Sequence, residues 1–311
     1  MEASASFSLV ERYADRLGLG ESVPELRQRA AGSTGQVIDL LDEIIAAHVH
    51  AICFENLDVV TARVRGEVRA VSVSPDEVAD KLLDDRRGGY CHEHAVLIRT
   101  ALAELGLAVH PVLARVHLGA GRAEPGGLTH QATIVELGSQ RHLVDPGFGG
   151  GTPERALPLT GGARTTARGE HRIVPAESVL EPAMRAEAEW ALQSRTAEDQ
   201  DFRTVYAFAD VPRQRSDIEL SNWYTSTRPG TRFTGAPVLV RMLPDGGKLT
   251  AEGRQLRYVR YGSTPERRER TIADAADFSR VLTEDFGLRV SEEFAALVWS
   301  AIPSPDRQGR S

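Results

Sequence analysis

Cys91, one of the chain's two cysteines, closes the run Arg86-Arg87-Gly88-Gly89-Tyr90 and opens a stretch that reads as helix. Over residues 95–105, Val96, Leu97, Leu102 and Leu105 fall on or near one helical face, and Gly106 stops the pattern. A cysteine at a helix N-terminus sits among unpaired backbone N–H groups at the positive end of the dipole. Both favour thiolate over thiol. Gly88 and Gly89 would allow another group to approach closely. A thiolate nucleophile needs a base to take its proton and a third group to orient that base. His130, at the mouth of a strand-like stretch, and Asp145, at the end of the next one, suit these tasks; they lie 39 and a further 15 residues along. If the two strands pair, both residues meet at one end of a sheet that can abut the Cys91 helix. Taken singly, each has a plainer reading. Cys91 is then a half-buried cysteine after a turn, His130 a strand-edge histidine and Asp145 the start of an Asp-Pro-Gly turn.

The elements that must position these residues come from the rest of the chain. With 311 residues, 41% hydrophobic and 26% charged, the chain is expected to build two or three packed globular units. A net charge of −7 argues against nucleic acid or an anionic membrane as partner. No apolar run reaches the ~20 residues of a membrane helix, and Met1-Glu2-Ala3-Ser4 does not start a secretory signal. Two cysteines form no disulfide framework, so a cytoplasmic location is expected. Oligomeric state is not legible.

Residues 1–105 read as a helical unit, with amphipathic stretches at 8–17, 35–49 and 78–83 and short strand-like pieces near 68–73. Residues 106–215 change texture to short strands separated by glycine-rich turns, which suggests an antiparallel sheet or barrel; 161–170 reads as an exposed loop. Residues 216–311 mix strands at 237–242 and 255–261 with helices at 217–227, 272–286 and 291–299, and end in a tail that reads as frayed. The expected class is α+β: an N-terminal helical bundle, a central antiparallel β-barrel and a C-terminal α/β lid. Cys53, among apolar neighbours, reads as a core cysteine.

Three segments together, Phe54-Glu-Asn-Leu-Asp58, Arg87-Gly-Gly-Tyr-Cys91 and Leu143-Val-Asp-Pro-Gly-Phe-Gly-Gly150, resemble the arylamine N-acetyltransferase family. A fourth, Asn222 to Phe233, looks like the segment that family uses between barrel and lid. The resemblance spans roughly residues 8–300. It implies ping-pong transfer from acetyl-CoA, as co-substrate, through an acyl group on Cys91 to an aromatic amine, hydroxylamine or hydrazine, with His130 and Asp145 completing a triad. It implies oxyanion contacts from the Cys91 amide and one beside residues 115–117. CoA contacts are expected at Thr129, Gly147, Phe148, Gly149, Gly150 and Thr231. Phe54 and His92 are expected in the acceptor pocket, and the Arg87–Glu55 pair is expected to hold the cysteine loop. His92, Ala95 and Pro146 depart from the family's usual residues. Relatives on this scaffold also move larger acyl chains or act as amide synthases, which leaves donor and acceptor open.

Other classes compete less well. A transglutaminase- or papain-type cysteine hydrolase shares the Cys–His–Asp order, but the glycine run after Asp145 and the third unit argue against it. A silent binding module would not need an intact triad. His92-Glu93-His94 invites a zinc reading, yet no second ligand cluster and no Cys-x-x-Cys accompany it, so no metal is expected.

Overall fold

Serine-started capping boxes open the first three helices: Ser8 with Glu11 for α1 (Leu9–Leu17), Ser22 with Glu25 for α2 (Val23–Ala30), and Ser33 with Gln36 for α3 (Thr34–Ala51). After a two-residue strand β1 (Phe54–Glu55) come α4 (Leu57–Val64) and α5 (Pro75–Ala79), which widens into a π-type turn over Asp80–Asp84. The loop that follows delivers the chain to α6 (Cys91–Glu104). Val96, Leu97, Ile98 and Leu102 of α6 are each at most 1% exposed. Full burial of such side chains is worth ~1.5–3 kcal/mol apiece, so the helix is fixed in place by packing on both sides. Its core includes Leu41, Ile44 and Ile45 of α3 and reaches Val135 and Val144 of the neighbouring sheet. The structure, a computed structural model, describes residues 8–117, 125–196, 201–262 and 264–303. The chain start and the tail beyond Pro303 lie outside the described residues.

The central sheet holds β2 (Ala108–Val116), β3 (Leu128–Leu137), β4 (Gln140–Val144), β5 (Leu157–Pro158), β6 (Arg164–Thr166), β7 (Gly169–Pro175), β8 (Trp190–Thr196) and β9 (Arg203–Phe208). Its order is β5-β4-β3-β2-β9-β8-β7-β6, antiparallel throughout, and β5 also comes beside β7, so the sheet nearly closes into a barrel. Val112, Ala132, Ile134, Leu192, Tyr206 and Phe208 fill its interior. Alternation sends Gln131, Thr133 and Val135 of β3 to the other face, toward α6. The register of β3 and β4 ends at Thr133↔Val144, which leaves Asp145 just past the ladder at the end of the sheet that carries His130.

A short helix α7 (Pro182–Arg185) lies between β7 and β8, and α8 (Arg215–Thr227) and α9 (Arg232–Gly235) lead out of the barrel. Then come β10 (Val238–Met242), β11 (Gly247–Glu252), β12 (Gln255–Arg260) and β13 (Glu266–Thr271), with α10 (Ala275–Arg280) and α11 (Glu292–Ser300) against them. The second sheet has the order β1-β10-β11-β12-β13. Its edge strand comes from the N-terminal part of the chain: Phe54 pairs with Val240 and Glu55 with Leu239. The units are therefore interleaved, since Cys53, Leu57 and Val60 also join the third core.

Two expectations need correction. Residues 68–73 form no strand; Val68 is 84% exposed, and the segment finds no neighbouring strand to pair with. The stretch 161–170 is not a plain loop, because β6 folds back on β7 through Arg164↔His171.

Candidate active site

Cys91 is the first residue of α6, so its N–H has no partner within the helix. The thiol is 3% exposed and points at β3, with Sγ 3.8 Å from the Thr129 carbonyl. His130, buried on the same strand, places Nε2 2.8 Å from Oδ2 of Asp145. The second oxygen, Oδ1, accepts from the Gly147 amide at 3.1 Å, and the Tyr206 hydroxyl donates to Oδ2 at 2.8 Å. With Nε2 committed to Asp145, Nδ1 is the nitrogen left for Cys91. Burial pulls the His130 pKa down, but the Asp145 charge and the contacts with Asp145 and Cys91 outweigh it and lift it to about 10. The ring is wedged between Tyr206, at 4.8 Å, and the edge of Phe148, at 4.9 Å. A buried acceptor for a thiol proton, held in one orientation by a carboxylate, is the arrangement an activated cysteine requires.

An N-acetyltransferase family model matches residues 37–295. The chain is 33% identical to the arylamine N-acetyltransferase of Escherichia coli over 288 residues, which is 90% of this chain and 95% of that one. The chain belongs to the arylamine N-acetyltransferase family. Its fold superposes on the solved arylamine N-acetyltransferase of Salmonella typhimurium with a TM-score of 0.79 at 28% identity, covering 95% and 99% of the two chains. The Mycobacterium marinum enzyme in complex with CoA gives 0.77 at 28% identity, covering 95% and 100%.

The loop before Cys91 is over-determined. Arg86 adopts a left-handed φ of 49°, a conformation that costs a non-glycine residue ~1 kcal/mol or more and must be held by its surroundings. The Arg87 guanidinium bridges Glu55 at 2.7 Å and Asp58 at 3.1 Å, as expected of a structural pair. Lys81 joins Asp58 to Glu93, both at 2.7 Å, and Glu93 in turn accepts the Tyr90 amide at 3.0 Å. Burial pushes the Glu93 carboxyl up to about 7 against the pull of Lys81. Gly88 is required sterically: a Cβ there would stand 2.3 Å from the Cys53 carbonyl oxygen. A cleft of about 180 Å³ behind this clasp, walled by Asp58, Arg69, Val71, Lys81 and Glu93, shares no wall with His130, Asp145 or Phe148.

The other residues expected at the site are brought together unevenly. Phe54 is buried in the cluster that contains Cys91, with the Phe233 ring at 5.7 Å. His92 is fully buried between β3 and α8, its Nδ1 3.0 Å from Gln131 Oε1 and its Nε2 3.3 Å from Ser221 Oγ. Thr129 offers its carbonyl to both Cys91 and Thr225. Thr231 lies at the start of α9, bonded to the Thr225 carbonyl at 3.2 Å. In the glycine-rich turn, the Gly147 amide is held by Asp145 and that of Phe148 by Thr152. Of the strand amides near Arg115, that of His117 is engaged by the Val205 carbonyl at 2.9 Å. Sequence reasoning missed Tyr206, although a tyrosine on the inward side of an apolar strand signals a buried hydroxyl that needs a partner.

The buried histidines predict an acid limb for stability. Burial lowers both His92 and His94 to about 4 when folded, against ~6.5 in an unfolded chain. With depressed folded-state values, their contribution is intact above ~6.5 and is lost as pH falls toward about 4, because only the unfolded chain takes up those protons. Glu93, raised when folded, runs the other way and offsets about one of the two. Buried His48 and His171 are lowered too and add to the same limb, so the unfolding free energy from urea titrations is expected to drop by at least ~2 kcal/mol between pH 6.5 and 4.5. A flat profile would mean that the rings are solvated.

Proposed function

We propose that the protein is an N-acyltransferase that moves an acetyl or related acyl group from a CoA thioester to an aromatic amine, hydroxylamine or hydrazine, through an acyl group on Cys91. The observation that carries this is the buried Cys91–His130–Asp145 constellation at the start of α6, in a chain that belongs to this family. Cys91 gives its proton to His130 Nδ1, and the thiolate attacks the thioester carbonyl. The Cys91 amide, at the positive end of α6, faces the developing oxyanion. The carbonyl–sulfur bond to CoA breaks, and CoA leaves with the proton from His130. The amine then attacks the acyl-cysteine, His130 takes a proton from its nitrogen, and the carbonyl–Sγ bond breaks to restore Cys91.

Phe54 and Phe233, beside the thiol, supply an apolar wall suited to an aromatic acceptor. Because Gly147 and Phe148 use their amides internally, backbone contact with the CoA phosphates falls to Gly149 and Gly150, with the Phe148 ring, Thr129 and Thr231 lining the approach. His92 supports this reading from behind the site, by tying α6 to β3 and α8. No described helix is long and apolar enough to cross a membrane. Both cysteines are free thiols, which suits a reducing cytoplasm.

The test is steady-state kinetics with a panel of acyl-CoAs and aromatic amines. Parallel double-reciprocal lines and amine-dependent CoA release are expected. Amide hydrolysis without any CoA thioester would point to a hydrolase instead.

A second expectation follows from the raised His130 pKa. That ring keeps its proton through neutral pH, and an imidazolium beside the thiol at a helix N-terminus favours the thiolate. Alkylation of Cys91 by iodoacetamide should stay fast at pH 6, and His130→Gln should move the profile toward pH 8–9. A wild-type rate that climbs only above pH 8 would show that the pair does not form.

A further inference from the structure

A line of three buried side chains runs from the first helix to the cysteine loop. The Tyr13 hydroxyl lies 2.6 Å from His48 Nδ1, His48 Nε2 lies 2.6 Å from His94 Nδ1, and His94 Nε2 lies 3.0 Å from the Gly89 carbonyl oxygen. Tyr13, His48 and His94 are 2%, 0% and 1% exposed, so water does not compete for these bonds. Only one proton arrangement satisfies all three. A carbonyl can only accept, so His94 carries its hydrogen on Nε2 and presents a lone pair at Nδ1. That lone pair accepts from His48 Nε2–H, whose own Nδ1 then accepts the Tyr13 hydroxyl hydrogen. A second proton on His94 would set its Nδ1–H against His48 Nε2–H, and one on His48 Nδ1 would force the Tyr13 hydroxyl to turn its hydrogen away. Burial keeps both rings neutral, with His48 held well below the usual histidine range and His94 near 4.

The end of this line touches both halves of the candidate site. Gly89 stands two residues before Cys91, and its carbonyl also accepts the Glu55 amide at 2.7 Å. The first turn of α6 packs directly beneath the Asp145 turn: a Cβ on Gly147 would lie 2.8 Å from His94 Cβ and 3.3 Å from Cys91 Cα. Gly147 is the residue whose amide holds Asp145. The Phe54 ring stacks parallel to the His94 ring at 6.3 Å. The first turn of α6 therefore carries the aspartate turn, and the His94 imidazole, by holding the Gly89 carbonyl two residues before Cys91, fixes the cysteine loop against it.

We propose that His94 is a positioning residue for acyl transfer, held in a single tautomer by His48 and Tyr13, and that it sets the separation of Cys91 from the His130–Asp145 pair. The role rests on Cys91 being the acyl carrier, as proposed above. Glutamine can imitate the ring, since its amide N–H can donate to Gly89 while its oxygen accepts from His48. Leucine fills similar space and can do neither.

The experiment compares wild type, His94→Gln and His94→Leu as full chains, well below their melting temperatures. It reads single-turnover acylation of Cys91 by acetyl-CoA and the pH profile of iodoacetamide alkylation. His94→Leu is expected to slow acylation ~10-fold or more and to move the alkylation profile toward that of an ordinary thiol, because small misplacements at a reacting centre carry penalties of this order. His94→Gln should stay within about three-fold of wild type. A folded His94→Leu protein with wild-type acylation and alkylation would overturn the proposal. So would equal losses in both variants, since the donor–acceptor pattern would then not matter. Should His94→Leu fail to fold, Tyr13→Phe removes only the outermost bond, and an alkylation profile identical to wild type would count against the tether. If wild type accepts no acyl group from any CoA thioester, the acyltransferase reading fails, while alkylation still reports on His94.

Discussion

Cys91→Ser is expected to reduce acyl transfer by at least ~10³-fold, while Cys53→Ser leaves turnover within a few-fold of wild type. The two thiols are both buried but sit in opposite surroundings. Among the described residues no imidazole bonds the Cys53 thiol; burial and then the Glu55 charge push it up to about 12, so it stays protonated and inert. Cys91 starts a helix and faces a histidine that Asp145 makes strongly basic. A serine at 91 keeps the shape but not the acidity, so the proton no longer passes to His130 before attack. Intact-mass spectrometry should find wild type about 42 Da heavier after acetyl-CoA and before any amine, the mass of an acetyl group replacing hydrogen on the nucleophile. Peptide mapping should put that mass on Cys91. Cys53→Ser should lower the melting temperature, since a hydroxyl replaces a thiol deep in the third core, without removing the adduct. Acetylation mapped to Cys53, or transfer surviving in Cys91→Ser, would remove the basis of the mechanism.

The parts of this site that were legible in the sequence are those whose signals are local. A glycine pair before an apolar-periodic stretch marks a turn into a helix, and β3 and β4 are joined by a short turn, so their pairing follows from chain order. That alone places His130 and Asp145 at one end of a sheet. Long-range partners carry no such signal. β1 is two residues long and pairs with β10 across more than half of the chain, so Phe54-Glu55 reads as a loop until its partner is known. β13, Glu266–Thr271, is nearly all charged, because one face of an edge strand meets water, and it lacks the alternation that marks a strand. The Tyr13–His48–His94 line had a signal that could have been read. His48 occupies the stripe of α3 that also holds Leu41, Ile44 and Ile45, where an unpaired imidazole would be costly. A histidine on such a stripe implies a buried partner, but its identity comes only from the packing of α1 and α6.

Asp145→Asn separates a catalytic carboxylate from a turn residue. An Asp-Pro-Gly turn tolerates asparagine, because both side chains bond the backbone two residues on, as Asp145 does to Gly147. The other oxygen does not tolerate the exchange. It accepts from His130 Nε2 and from the Tyr206 hydroxyl, each at 2.8 Å. If the asparagine oxygen keeps the Gly147 bond, its NH₂ group faces His130 and donates where the carboxylate accepted. Nε2 must then give up its hydrogen, the remaining proton moves to Nδ1, and the nitrogen meant to accept the Cys91 proton can no longer do so. If the amide flips, its NH₂ group opposes the Gly147 N–H, and the turn itself loses a bond. In either orientation the charge that makes His130 basic is gone. In serine proteases the equivalent change costs ~10⁴ in turnover through the same tautomer error. A thiol is intrinsically more acidic than a serine hydroxyl and depends less on the third group, so the loss expected here is at least ~10². The measurement is single-turnover acylation of Cys91 alongside thermal melting. Acylation within a few-fold of wild type would reduce Asp145 to a turn residue. Should the variant melt far lower, Tyr206→Phe gives the independent reading: it removes a donor from the same carboxylate oxygen without touching the Gly147 turn, and a milder slowing of acylation at unchanged charge is expected.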